Sequence, residues 1–290
     1  MQVGLIGLGR MGSRIRDRLA RGGHDVVAYD QDAAVSAVAS IEALVAQLAA
    51  PRVVWVMVPS GAATDAVFAT LEGLVAPGDL LVDGGNSDFR DSQARAERLV
   101  GLGVHFLDIG VSGGVYGGER GFCLMAGGAA GDFARIEPLA AALAAPDGYA
   151  LVGPAGAGHY TKMCHNAIEY AIMEALGEGF DLLNHFDAPI DAHRVAELWN
   201  HGSVIRSWLL ELAGQALAKD PDLSTITGYV EDSGEGRWAI REAVARGVPA
   251  TGLAESLFRR FASREADSYA TRLIAALRDE FGQHGTVARS

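Results

Sequence analysis

The chain's 290 residues suffice for a large core and one or two domains, and 49% hydrophobic with 21% charged residues is the balance of an ordinary globular protein. A formal net charge of −12 excludes bulk attraction to nucleic acid or to an anionic lipid surface, so an anionic substrate would need locally placed Arg or Lys. No stretch approaches the roughly 18 apolar residues of a membrane span, and the chain enters MQVGLIG without a basic leader region, so a cytoplasmic protein is expected.

Up to about residue 155, short β-rich runs alternate with helical patterns. The runs are QVGLIG, DVVAYD, RVVWVMV, DLLVDGG, VHFLDIG, FCLMAGG and YALVG, with helices expected over 11–21, 41–49, 62–74 and 88–101. This alternation predicts a Rossmann-type α/β domain, doubly wound around a mainly parallel sheet. The opening GLGRMG places Gly7, Gly9 and Gly12 in G-x-G-x-x-G spacing between a strand and a helix, where glycines permit a tight turn and close approach of backbone to a pyrophosphate. Asp30 ends the second strand 18 residues later, placed to accept hydrogen bonds from ribose hydroxyls. Gln31 and Asp32 follow it, with no cation to neutralise a 2′-phosphate, so NAD is expected over NADP.

After the Gly-rich turn GPAGAG at 153–158, strand signals nearly vanish and amphipathic segments run to residue 281. The expected division is a dinucleotide-binding domain over 1–155 and an all-helical substrate and oligomerisation domain over 156–290, of five to six helices. Punctuation falls near Asp187–Pro189, Asp220–Pro221, Asp232–Gly236 and Gly247–Pro249.

The first of these helices carries GHYTKMCHNAIEYAIMEALGEG. At about 100° per residue, Lys162, His165, Asn166 and Glu169 share a stripe, while Met163, Cys164, Ala167, Ile168, Ala171, Ile172 and Ala175 form an apolar side suited to a core. A solvated polar face is the plain alternative, but such faces favour long helix formers over His, Asn and Tyr. An amine and a carboxylate two turns apart supply a candidate base and a candidate acid. Cys123 and Cys164 have no disulfide or metal spacing and are expected as small buried apolar residues. The histidines, among them His24, His105, His185, His193 and His201, show no ligand spacing either, and no metal is expected.

Three further stretches follow one another in order: VDGGNSDFRDS, with Asn86 and Ser87; GVSGG, with Ser112, Gly113 and Gly114; and GAGHYTKMCHNAIEY. Together with the glycine loop they resemble the decarboxylating 6-phosphogluconate dehydrogenases over essentially the whole chain, in the short form that lacks a second helical repeat. The K-x-x-H-N-x-x-E-Y set separates this family from the related β-hydroxyacid dehydrogenases. The resemblance implies that Lys162 is the general base that takes the 3-hydroxyl proton and Glu169 the general acid that protonates the enediol carbon after loss of carbon dioxide. It implies substrate contacts from Asn86, Ser112, Gly113, Gly114, His165 and Asn166, although Asn86 and Ser87 could instead cap a helix and the glycines could only form a turn. It further implies 6-phosphate ligands at Tyr170, Arg260, Arg278 and His284, with Arg260 and Arg278 otherwise plain solvated helix residues. His159, in the first turn of the same helix, is expected only to line the site.

The implied cofactor contacts are Gly7, Leu8, Gly9, Arg10, Met11 and Gly12, with Asp30, Val58, Pro59 and Asn86. Where long family members carry a K-G-T-G-K-W-like segment, this chain has Ser233, Gly234, Glu235, Gly236, Arg237 and Trp238, so a phosphate-contacting Lys and Thr are replaced. Unphosphorylated gluconate, another β-hydroxyacid, or a non-catalytic NAD-binding regulatory role therefore stand as alternatives to 6-phosphogluconate oxidation. The tail bearing Arg278 and His284 implies a homodimer or homotetramer with a site shared between subunits.

Overall fold

The structure is a computed structural model and describes residues 1–265, 267–283 and 285–287. It divides into two compact units, Met1–His165 and Asn166–Ser290.

The first unit is built on seven strands: β1 (Gln2–Ile6), β2 (Asp25–Tyr29), β3 (Val53–Val56), β4 (Leu80–Asp83), β5 (His105–Ser112), β6 (Phe122–Gly128) and β7 (Ala144–Gly153). Their order across the sheet is β2-β1-β3-β4-β5-β6-β7, with every neighbouring pair parallel except β5 and β6. The first five strands are linked by α1 (Gly12–Arg21), α2 (Ile41–Gln47), α3 (Ala62–Glu72) and α4 (Phe89–Gly101). A short α5 (Gly117–Arg120) precedes β6, and α6 (Ala130–Leu143) crosses over to β7.

Alternation along the strands explains the layering. Leu5, Trp55, Val82 and Leu107 pack with Ile15 and Leu19 of α1 and Ile136 and Leu139 of α6, while Ile6, Val54, Val56, Leu81 and Phe106 pack with Leu44 of α2, Phe68 of α3 and Leu99 of α4. Because successive strand residues point to opposite faces, the helices cover both sides of the sheet, as a doubly wound fold requires. From β1 the chain steps outward to β2 and then crosses to β3 on the other side of β1, so the strand order reverses at the carboxyl ends of β1 and β3.

A buried ion pair braces the loop after β4. Asp83, wholly buried, receives Arg95 Nη1 at 2.8 Å and the Ser87 hydroxyl at 2.8 Å, while its other oxygen accepts the Gly85 N–H at 3.1 Å. Arg95, 1% exposed, also donates to Asp65 at 2.8 Å and lies over the Phe68 ring at 5.4 Å.

The helix α7 (Ala157–Asn184) begins in the first unit and continues into the second. The second unit adds α8 (Ala192–Asn200), α9 (Trp208–Lys219), α10 (Glu235–Arg246), α11 (Thr251–Ala262) and α12 (Tyr269–Gly282). Local chemistry sets these ends: Asp191, Ser207 and Ser268 cap α8, α9 and α12, and Gly247 ends α10 at φ +65°. The loop before α10 is gathered by α11 and by the first turn of α10 itself. Asp232 accepts Arg237 at 2.8 and 3.1 Å and Arg264 at 2.8 Å, while the Arg260 guanidinium donates to the Glu231 carbonyl at 2.7 Å. The two arginines hold the Asp232 carboxyl at about 2.

The long α7 departs from the expected facing. Ile168 and Ile172 of its apolar side are 52% and 41% exposed, whereas Asn166 and Tyr170 are buried alongside Met163 and Ala167. The buried line follows the 3–4 spacing through 163, 166, 167 and 170, because hydrogen bonds satisfy its polar members. Cys123 is likewise exposed, facing outward from β6 between buried Phe122 and Leu124.

Two consequences are measurable. Arg95→Leu leaves Asp83 charged and buried without its cation, and should cost about 3–5 kcal/mol in urea unfolding; a loss under about 1 kcal/mol would contradict the bracing role. Since the folded Asp232 carboxyl sits below its ordinary 3.8, its contribution is fully present above about pH 4 and is lost as the pH falls toward 2. Asp232→Asn should therefore be less stable than the wild type at pH 7, with the two converging near pH 2.

Candidate active site

The glycine loop opens at the reversal of strand order. Gly7 has φ +95°, and a Cβ there would stand 2.6 Å from the Met57 carbonyl oxygen; at Gly12 it would stand 1.9 Å from the carbonyl oxygen of Gly7. The chain itself therefore demands the first and third glycines. At Gly9 a Cβ would meet nothing within 4 Å, so the second glycine answers to no packing within the protein, as expected where a pyrophosphate approaches the backbone. Helix α1 starts at Gly12 with no side-chain cap and no acidic residue in its first turn, leaving its N–H groups and positive dipole end suited to an anion. Asp30 accepts the Leu8 N–H at 2.6 Å and the Asp32 N–H at 2.9 Å, which ties the end of β2 to the loop and leaves carboxylate lone pairs for a ribose. Val58 approaches Gly7 from the end of β3, and the Pro59 carbonyl accepts the Thr64 hydroxyl at 2.8 Å. These residues fit a dinucleotide.

The start of α7 is seated on the sheet by a carboxylate. Asp108, in the middle of β5 and wholly buried, accepts the N–H groups of Gly156 at 2.6 Å and His159 at 2.8 Å, so a distant strand supplies a cap to the first turn of the helix. Burial pushes this carboxyl up, against the opposing pull of His159 and the two backbone donors. Glycines permit the approach: a Cβ on Gly158 would lie 2.4 Å from the Asp108 carbonyl oxygen, and one on Gly110 would lie 2.4 Å from Lys162 Cβ. Lys162 is thus placed directly over the end of β5. His159, 1% exposed, bonds Ser92 at 2.7 Å through Nδ1 and the Gly85 carbonyl at 3.1 Å through Nε2. Gly85 precedes Asn86, and the next helix is capped by Asp88 rather than by Asn86 or Ser87.

Ser112 ends β5 and meets His165 Nε2 at 3.1 Å. Gly113 and Gly114 follow with φ +124° and +51°, a left-handed path that other residues resist, so at least part of their requirement is conformational. Arginines of α1 hold the following turn: Arg14 donates to the Val115 carbonyl at 3.1 Å and Arg21 to that of Gly118 at 2.6 Å.

In the second unit, the Asn166 amide donates to buried Glu235 at 2.7 Å. Tyr170 accepts the Ser233 N–H at 3.3 Å through its phenol oxygen, which also meets the Ser233 hydroxyl at 3.3 Å, and the Arg260 guanidinium stacks 3.5 Å above its ring. Tyr170, Ser233 and Arg260 thus form one group, and Glu235 belongs to the next turn of the same network. Arg278 is exposed on α12, and His284 lies outside the described residues. No group of three or more His, Cys, Asp or Glu suited to a metal occurs among the described residues.

The sequence reading named Lys162, His165 and Ser112, which the structure brings to one end of β5, and Tyr170 with Arg260, which it stacks together, but it overlooked Asp108, Ser92 and the contacts of His159. An acid inside the otherwise apolar run VHFLDIG was the available signal, because a buried carboxylate must find donors.

Residues 2–156 match the NAD binding domain of 6-phosphogluconate dehydrogenase, and residues 158–270 match its C-terminal domain. A Haloferax volcanii protein named 6-phosphogluconate dehydrogenase, NAD(+)-dependent, decarboxylating, is 43% identical over 100% of this chain and 99% of its own. YqeC of Bacillus subtilis is 40% identical over 99% of both chains. Among solved structures, Plasmodium falciparum 6-phosphogluconate dehydrogenase superposes with a TM-score of 0.82 at 26% identity, covering 100% of this chain, which spans only 66% of the Plasmodium one. The chain belongs to the 6-phosphogluconate dehydrogenase family.

Proposed function

We propose that the protein oxidatively decarboxylates 6-phosphogluconate to ribulose 5-phosphate and carbon dioxide with reduction of NAD. The observation that carries this reading is the placement of Lys162 and Glu169 seven residues apart on α7, close to two full turns, in a chain 43% identical throughout to a relative named for that reaction. When bound, NAD supplies the hydride acceptor for C3 of the substrate. Lys162 takes the proton of the 3-hydroxyl as C3 is oxidised, and the resulting ammonium polarises the new ketone. The C1–C2 bond then breaks, its electrons pass toward that ketone as carbon dioxide leaves, and Glu169 donates a proton to the enediol carbon. Ser112, Gly113, Gly114, His165, Asn166 and Asn86 orient the sugar acid. Tyr170 and Arg260 take its phosphate, joined by Arg278 and His284 from the tail.

Asp30 and Asp32 present two carboxylates and no cation at the end of β2, which favours a ribose diol over a 2′-phosphate. The division of labour follows the fold: a dinucleotide-binding domain ahead of a helical substrate and oligomerisation domain. We further propose a cytoplasmic homodimer or homotetramer whose site is completed by a partner's tail; no helix among the described residues is long and apolar enough to cross a membrane. A second reading, oxidation of unphosphorylated gluconate, is favoured by Glu235, whose carboxylate lies in the network where an anion would bind.

Lys162→Met and Glu169→Gln should each keep NAD affinity and lose about 10²-fold or more in kcat. Wild-type kcat in either would remove that assignment. The kcat/KM for NAD should exceed that for NADP by about tenfold or more, a difference of about 1.4 kcal/mol; parity would place the selectivity elsewhere than at Asp30. With 6-phosphogluconate and gluconate compared at equal concentration, turnover confined to gluconate would select the second reading.

A further inference from the structure

His159 is buried and unused by the proposed chemistry, yet its polar contacts reach three segments outside α7. Its backbone N–H goes to Asp108 on β5 at 2.8 Å, its Nδ1 to Ser92 on α4 at 2.7 Å, and its Nε2 to the Gly85 carbonyl at 3.1 Å. A carbonyl only accepts, so Nε2 donates in that contact, while the direction of the Ser92 bond follows the state of Nδ1. One residue away along the loop is Asn86, and one turn away along the helix is Lys162. The loop is held from its other side by Asp83 and Arg95, and α7 is held against β5 by its glycine approaches and by Asp108. Neither of those restraints joins the loop to the helix directly. The imidazole does.

We propose that His159 is a positioning residue: its ring locks the Gly84–Asp88 loop to the first turn of α7 and thereby sets the distance between Asn86 and Lys162. Part of the proposal rests on the dehydrogenase reading, since Asn86 and Lys162 are placed on substrate only there. The mechanical part does not. Two buried hydrogen-bonding atoms in one flat ring fix both separation and orientation, and an error of about 1 Å in such a spacing is enough to cost about 10²-fold in rate.

The test compares His159→Gln, whose amide can still donate to the Gly85 carbonyl, with His159→Leu, which abolishes both ring contacts. For the Leu variant we expect kcat with the sugar acid to fall by about tenfold or more while NAD affinity stays within about twofold. Hydrogen exchange of the 84–92 segment should rise by about fivefold or more in the Leu variant, and the Gln variant should recover most of both properties. Ser92→Ala, which removes the Nδ1 partner at 2.7 Å together with a longer 3.4 Å bond to the Asp88 carbonyl, should shift kcat and exchange in the same direction and to a smaller extent. Exchange at 84–92 unchanged in both His159→Leu and Ser92→Ala would overturn the proposal, as would faster exchange with undiminished kcat. Should the wild type turn over no sugar acid, the dehydrogenase reading fails, and the exchange comparison still decides whether His159 holds the loop.

Discussion

A carboxylate shut off from solvent holds the start of α7 in place. Asp108 lies in the interior of a mainly parallel sheet, where a charge is costly unless it is fully hydrogen-bonded, and it finds its donors at the start of α7. Each group solves the other's problem: the helix start needs acceptors, and the buried acid needs N–H groups and a positive dipole end. Everything proposed for Lys162 follows from this seat, because the lysine emerges one turn further on, above the glycine that ends the straight part of β5.

Around that seat the protein uses glycine as a spacing device. Gly110, Gly127 and Gly158 let helix backbone and strand backbone approach to distances that a Cβ would forbid; Gly7 does the same against Met57 beyond β3, and Gly12 against the carbonyl of Gly7. At Gly9, by contrast, nothing in the protein itself fills the place of the missing side chain.

Much of this was legible in the sequence. Seven strands and the mainly parallel doubly wound sheet follow from short β-branched runs at regular spacing, and the helix ends of the second unit follow from Asp, Ser, Gly and Pro at their boundaries. What periodicity could not supply was partnership. Asn166 read as a member of a polar stripe and Tyr170 as a phosphate ligand, but Glu235 and Ser233 draw them inward, while Ile168 and Ile172 remain exposed. Glu235 read as the loss of a phosphate ligand, and its hydrogen bond to Asn166 sits 69 residues away in sequence. His159 read as a bystander for the same reason: its three partners come from three other segments, and no local pattern announces them. Helix α6, which carries Pro138, is not among the expected helices, since a Pro inside a run reads as a break.

The central claim is that one helix delivers a base and an acid to successive steps on a single sugar acid, so that oxidation and carbon loss belong to one turnover. The most direct measurement is the stoichiometry of the two products, with C1-labelled 6-phosphogluconate and NAD: labelled carbon dioxide trapped against reduced cofactor formed. One carbon dioxide for each reduced NAD is the predicted result. Reduced cofactor accumulating without released label would contradict it, and would leave a simple β-hydroxyacid dehydrogenase in its place.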